Sequence, residues 1–125
     1  MIDDDIVDAA KRLLDICRRK NLTVATAESC TAGLIAGTLT EVPGTSSILD
    51  RGFITYSNQA KQDMIAVSAA TLAAHGAVSR ETAEEMVRGA LAHAPVDLAA
   101  SVTGIAGPHG ASAENPAGLC PFGAA

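Results

Sequence analysis

A chain of 125 residues with 48% hydrophobic and 18% charged residues holds enough apolar material for one domain with a real core, and it does not read as a disordered segment. Aromatics make up only 2% and Trp is absent, so the core is expected to use Ala, Val, Leu and Ile, with its elements closely spaced. A formal net charge of −5 argues against a general nucleic-acid binder, which needs a basic surface, but leaves room for one phosphorylated small molecule. No apolar run approaches the ~20 residues of a membrane span.

The chain opens on Met1-Ile2-Asp3-Asp4-Asp5, acidic and unlike a signal peptide. Ile6, Val7, Ala10, Leu13, Leu14 and Cys17 recur at helical spacing over residues 3–20, with aspartates at the start and Arg18, Arg19 and Lys20 at the end, both favourable to the helix dipole. Leu22 to Ala25 alternates as a strand and runs into Thr26-Ala27-Glu28-Ser29-Cys30-Thr31-Ala32-Gly33, after which Leu34 to Leu39 reads as a helix ended by Val42-Pro43-Gly44. A polar loop, Thr45-Ser46-Ser47, precedes a second strand over Gly52 to Tyr56. Ser57 or Asn58 caps a short helix carrying Lys61; Ser68 and Ser79 cap two more, the last ended by Pro95. Val96 to Val102 reads as a third strand and leads into the glycine-rich turn Thr103 to Gly110. Strands alternating with helices predict an α/β domain, with helices layered on a sheet.

Three polar segments fall at strand ends: Glu28 to Thr31, Tyr56 to Lys61, and Thr103 to Gly110. In a parallel or mixed sheet such ends converge on one cleft, where ligands bind. A hydroxyl or thiol on the Ser29-Cys30-Thr31 turn serves as nucleophile, phosphate ligand or plain helix cap, and the residues alone favour the cap. Lys61 read bare is a solvated helix lysine, and Tyr56 a packed strand residue. Cys17, Cys30 and Cys120, odd in number and widely spaced, suggest neither a disulfide framework nor a zinc site, and the expected compartment is a reducing cytoplasm. There is no HExxH motif, and His75, His93 and His109 read as surface residues.

Taken together and in order, Thr26-to-Gly33, Val42-Pro-Gly-Thr-Ser-Ser47, Gly52-Phe-Ile-Thr-Tyr-Ser-Asn-Gln-Ala-Lys61, His75-Gly-Ala-Val-Ser79 and Val102-Thr-Gly-Ile-Ala-Gly-Pro108 resemble the CinA C-terminal domain family of nicotinamide mononucleotide deamidases, over about Ile6 to Gly118. The resemblance implies a three-layer α/β/α domain with a mixed or mostly parallel sheet. It also implies an amidohydrolase that needs no metal or cofactor, with a small nucleotide substrate and no nucleic-acid or membrane partner. It assigns Ser29 as nucleophile, Lys61 as base and Tyr56 as a relay or orienting group between them. Thr31, Gly33, Ser46, Asn58, Thr103, Gly104 and Gly107 are assigned to substrate binding. Glu28 either holds the turn or competes as an acid, and Cys30 is the rival nucleophile. Asn58 either positions Lys61 or caps its helix.

Two departures stand out. Ala32 occupies a position where the family more often has Gly, a small change unless that backbone needs positive φ. The family continues past Gly118-Leu119 with strands and a helix; here Cys120-Pro121-Phe122-Gly123-Ala124-Ala125 ends the sequence, and Pro121 is expected to break the strand. The expectation is a single domain over residues 1–125 that lacks those last elements and associates as a homo-oligomer. Beside an active deamidase stand two alternatives: a catalytically impaired nucleotide-binding relative, and a non-enzymatic interaction module.

Overall fold

The structure is a computed structural model that describes residues 2–105 and 118–125. Its elements are α1 (Asp4–Lys20), β1 (Val24–Glu28), α2 (Leu34–Thr40), a 3-10 turn (Thr45–Ser47), β2 (Leu49–Ile54), α3 (Asn58–Ile65), α4 (Ala69–His75), α5 (Arg80–His93), β3 (Leu98–Val102) and β4 (Phe122–Ala124). The sheet order is β2-β1-β3-β4, with β1 parallel to both β2 and β3, and β4 antiparallel to β3.

Alternation along β1 divides the core in two. Val24 packs with Ala10, Leu14 and Cys17 of α1, Leu39 of α2, and Val42 and Ile48. On the opposite face Ala27 and Ala99 pack with Ile65, Val67 and Met86, Val87 and Ala90 of α5. The result is the three-layer α/β/α arrangement. All five residues of β1 are buried, as befits a central strand covered on both faces. The shortage of aromatics is met by close approach: a Cβ on Gly89 of α5 would lie 1.9 Å from the Ile65 carbonyl oxygen, so only glycine lets α5 run this near the end of α3.

Ser57, Ser68 and Ser79 each accept a backbone N–H at the start of α3, α4 and α5, as the sequence predicts. The second strand lies earlier than expected, at Leu49–Ile54 rather than Gly52–Tyr56. Its register is set by β1, with Val24 opposite Leu49 and Glu28 opposite Ile54, and as an edge strand it leaves Asp50, Arg51 and Gly52 exposed. The third strand begins at Leu98, two residues later than expected, because Asp97 turns aside to accept the Thr23 N–H and hydroxyl.

The end of the sequence corrects a further expectation. Pro121 does not abolish the strand: Phe122–Ala124 pairs with β3, Ala100 opposite Ala124 and Val102 opposite Phe122. Proline lacks only a donor, and the Pro121 carbonyl still accepts the Thr103 N–H at 3.1 Å.

Candidate active site

The chain leaves β1 at Glu28 and turns at once into the layer containing α2. The Glu28 carboxylate is buried (1% exposed) and accepts four hydrogen bonds: from the hydroxyls of Thr26 and Thr31, and from the N–H groups of Ile35 and Ala36 in the first turn of α2. Of the two readings of Glu28, this is the one in which it holds the turn. It also takes up the Thr31 hydroxyl and two N–H groups of the first turn of α2, leaving only the backbone N–H groups of Thr31 and Gly33 outside its bonds. The pairing matches a carboxylate to the positive end of the helix. Gly33 is required for another reason: its φ is +97°, and a Cβ there would meet Ile54 Cδ1 at 3.1 Å. Ala32 beside it sits at φ +48°, so the departure from glycine does fall where the backbone is left-handed.

Between Glu28 and this turn, Ser29 is pinned by its N–H to the Val102 carbonyl of the neighbouring strand, and its side chain is buried. From the other layer, α3 delivers Lys61, 1% exposed. Lys61 Nζ donates to Ser29 Oγ at 3.1 Å, to the Thr55 carbonyl at 2.8 Å and to the Tyr56 carbonyl at 3.2 Å, with the Ser57 carbonyl at 3.5 Å. Among the described residues Lys61 forms no ion pair with a carboxylate. Burial pushes its pKa below the ordinary 10.5, against a smaller opposing pull from Cys30. An unprotonated amine has two N–H donors and one lone pair. The Thr55 and Tyr56 carbonyls can take the donors, which leaves the lone pair for the Ser29 Oγ–H.

Tyr56 meets the cluster through its backbone. Its side chain is 72% exposed, and it is the Tyr56 carbonyl, not the phenol, that meets both Lys61 Nζ and, at 3.5 Å, Ser29 Oγ. The backbone leaves β2 after Ile54 and turns into the cap of α3, which directs its carbonyls inward and the ring out. Asn58 is also exposed, and Ser57 rather than Asn58 caps α3. Ser46 is not part of this cluster. It lies just before Leu49, which is opposite Val24 at the amino end of β1, whereas Ser29 follows the carboxyl end about 13 Å away.

Thr103 is buried next to the site, but its hydroxyl is committed to the Ala77 carbonyl at 2.7 Å. Gly104 is required by the chain itself: a Cβ would stand 2.6 Å from the Leu119 carbonyl and 2.7 Å from Cys120 Sγ. Gly107 lies outside the described residues. Three groups at or beside the site were not singled out from the sequence. The Thr55 and Tyr56 carbonyls carry no side-chain signal and so could not be found there. Cys120 was noted only as one of an odd set, and it lies beside Gly104. Among the described residues no cluster of His, Cys, Asp and Glu could hold a metal ion, and no helix is long and apolar enough to cross a membrane.

With that geometry in hand, the comparisons are direct. The chain is 50% identical over 111 residues to a CinA-like protein of Chloroherpeton thalassium, covering 89% of this chain and 26% of that protein, so it spans about a quarter of such relatives. It is 45% identical over 122 residues to the nicotinamide-nucleotide amidohydrolase PncC of Escherichia coli K12, covering 98% of this chain and 74% of that one. The crystal structure of the competence/damage inducible protein CihA from Agrobacterium tumefaciens superposes with a TM-score of 0.97 at 50% identity, over 99% of this chain and 75% of that chain. A family model described as the CinA C-terminal domain matches residues 7–125, and the chain belongs to that family.

Proposed function

We propose that this domain hydrolyses the carboxamide of nicotinamide mononucleotide, giving the carboxylate and ammonia, with Ser29 as nucleophile and Lys61 as general base. The observation that supports it most is the buried Lys61 amine, free of any carboxylate partner among the described residues and 3.1 Å from a buried serine hydroxyl at the carboxyl end of the central strand. The kinship with PncC supplies the substrate.

In this reading Lys61 Nζ takes the Oγ proton as Oγ attacks the carboxamide carbon. Backbone N–H groups of the turn that follows Ser29 serve as donors to the developing oxyanion. Protonated Lys61 then gives its proton to the departing ammonia. Water, activated by the same amine, frees the carboxylate from Ser29. Tyr56, exposed at the mouth, contacts the substrate base rather than relaying the proton. Thr103 and Gly104 shape the wall through the backbone.

A cytoplasmic homo-oligomer completes the reading. The three cysteines are free thiols, and an open apolar groove of about 370 Å³ runs beside Leu13, Leu98 and Ala124, next to the edge of β4 that has no partner strand among the described residues. Sedimentation as a stable monomer would remove the oligomer.

The deciding experiment is ammonia release from nicotinamide mononucleotide by the parent chain, Ser29→Ala and Cys30→Ala. Loss on the order of 10³-fold in Ser29→Ala alone supports the assignment. Activity that survives Ser29→Ala and vanishes in Cys30→Ala transfers the role to the thiol.

A further inference from the structure

Helix α1 keeps part of its apolar surface in the open. Ala10, Leu14 and Cys17 face the core, but Ile6, Ala9, Leu13 and Ile16 stay outside it, with Ile6 51%, Leu13 39% and Ile16 42% exposed. These four follow one another at intervals of three, four and three residues, the spacing of a seam between two paired helices. Packing on the sheet uses only the other stripe of α1. The seam opens on a groove of about 230 Å³ toward α2, where Ile35 and Thr38 form the far wall. Leu13 also lines the groove beside Leu98 and Ala124, so the two apolar areas are continuous. Along the exposed flank of the seam stand three charges seven residues apart: Asp5, Arg12 and Arg19. Asp5 forms no ion pair among the described residues, while Arg19 Nε meets Asp15 at 3.3 Å on the surface.

Resting on the homo-oligomer reading, we propose that this seam joins two copies of the chain, with their α1 helices antiparallel about a two-fold axis. A two-fold centred between Ala9 and Leu13 sets Ile6 against the partner's Ile16 and Ala9 against the partner's Leu13, so each seam residue meets an apolar one. Charge selects the orientation. Antiparallel helices place Asp5 beside the partner's Arg19 and Arg19 beside the partner's Asp5, and only Arg12 faces its own copy. Parallel helices would face every one of these charges with its like. The acidic first turn and basic last turn of α1 extend the antiparallel match. One helix pair is a small interface, below the ~1,600 Å² of a standard one, so the dimer forms with a Kd on the order of 10 µM.

The test is sedimentation of the whole chain from about 1 to 300 µM, with circular dichroism confirming the fold of each variant. The parent should pass from monomer to dimer. Asp5→Lys and Arg19→Asp each turn both cross pairs repulsive, and each should weaken association at least about tenfold. The two changes in one chain restore opposite charges and should return the Kd to within about threefold of the parent. Arg12→Gln removes the one like pair and should tighten the dimer. Ile16→Glu, which buries carboxylates in the seam, should leave only monomer. A parent that stays monomeric overturns the oligomer and the seam together. A parent dimer unmoved by Ile16→Glu leaves the oligomer standing and overturns the seam. A dimer lost in Ile16→Glu but indifferent to the single charge reversals, not restored by the double variant, or no tighter in Arg12→Gln overturns the antiparallel pairing.

Discussion

The two ends of the parallel strands carry similar side chains and very different chemistry. At the carboxyl end, Glu28-Ser29-Cys30-Thr31 follows β1; at the amino end, Thr45-Ser46-Ser47 precedes β2. Both are short hydroxyl-bearing turns next to a helix. At the amino end, Thr45 gives its hydroxyl to the Leu39 and Val42 carbonyls, Ser47 gives its own to Gly44, and Ser46 is exposed. Those hydroxyls close a turn. At the carboxyl end a buried amine arrives from the opposite layer, and one hydroxyl becomes its partner. The identity of the hydroxyl residue decides little, and what is buried beside it decides much.

The difference between the two ends can be broken most severely at Lys61. Lys61→Met, of similar length and without an amine, should reduce ammonia release by about 10³-fold or more, while Lys61→Arg should be equally inactive because guanidinium does not deprotonate. The pH dependence sharpens the point. The folded-state pKa of Lys61 lies below its unfolded value, so above the folded value the unfolded chain binds more protons and stability rises with pH toward about 10.4. Activity should rise over the same limb as the amine loses its proton. Chemical denaturation of Lys61→Met at several pH values should lack this rise; an unchanged slope would show that another group causes it.

Glu28→Gln is next. A carboxamide offers one acceptor oxygen and a misplaced NH₂ to four donors, so we expect a loss of about 2–4 kcal/mol in urea unfolding, together with falling turnover as the Ser29 turn loosens. Gly33→Ala combines left-handed strain with a 3.1 Å contact to Ile54 and should cost about 1–3 kcal/mol, read the same way. The smallest effect belongs to the other end: Ser46→Ala should change stability by less than about 0.5 kcal/mol and leave turnover within about threefold. A large loss of activity in Ser46→Ala would mean that the two ends of the sheet are not functionally separate.

How far the sequence reached follows from where each signal resides. Helices α1 and α5 were legible because their apolar residues repeat every three to four positions, and α3 to α5 because a serine opens each one. Ser29 and Lys61 were singled out by the order of several short segments together, since neither residue is distinctive alone. At Tyr56 the group that reaches Lys61 is a carbonyl, which a sequence, naming side chains, does not show. For Ser46, a short polar loop does not show which end of the sheet it occupies; the Val24–Leu49 pairing does. Pro121 suggested a break because it lacks an N–H, but the ladder needed only its oxygen at that point.

The strand order has a consequence in time. β1 is made early yet lies at the centre of the sheet, and the backbone bond that fixes Ser29 comes from Val102, with β3 held in turn by residues 119–125. Closing such distant segments is slow compared with forming local helices. During synthesis, Ser29 and Lys61 are therefore both present long before β3 emerges to set their spacing. A nascent chain stalled before residue 98 would carry the nucleophile and the base without the geometry that joins them.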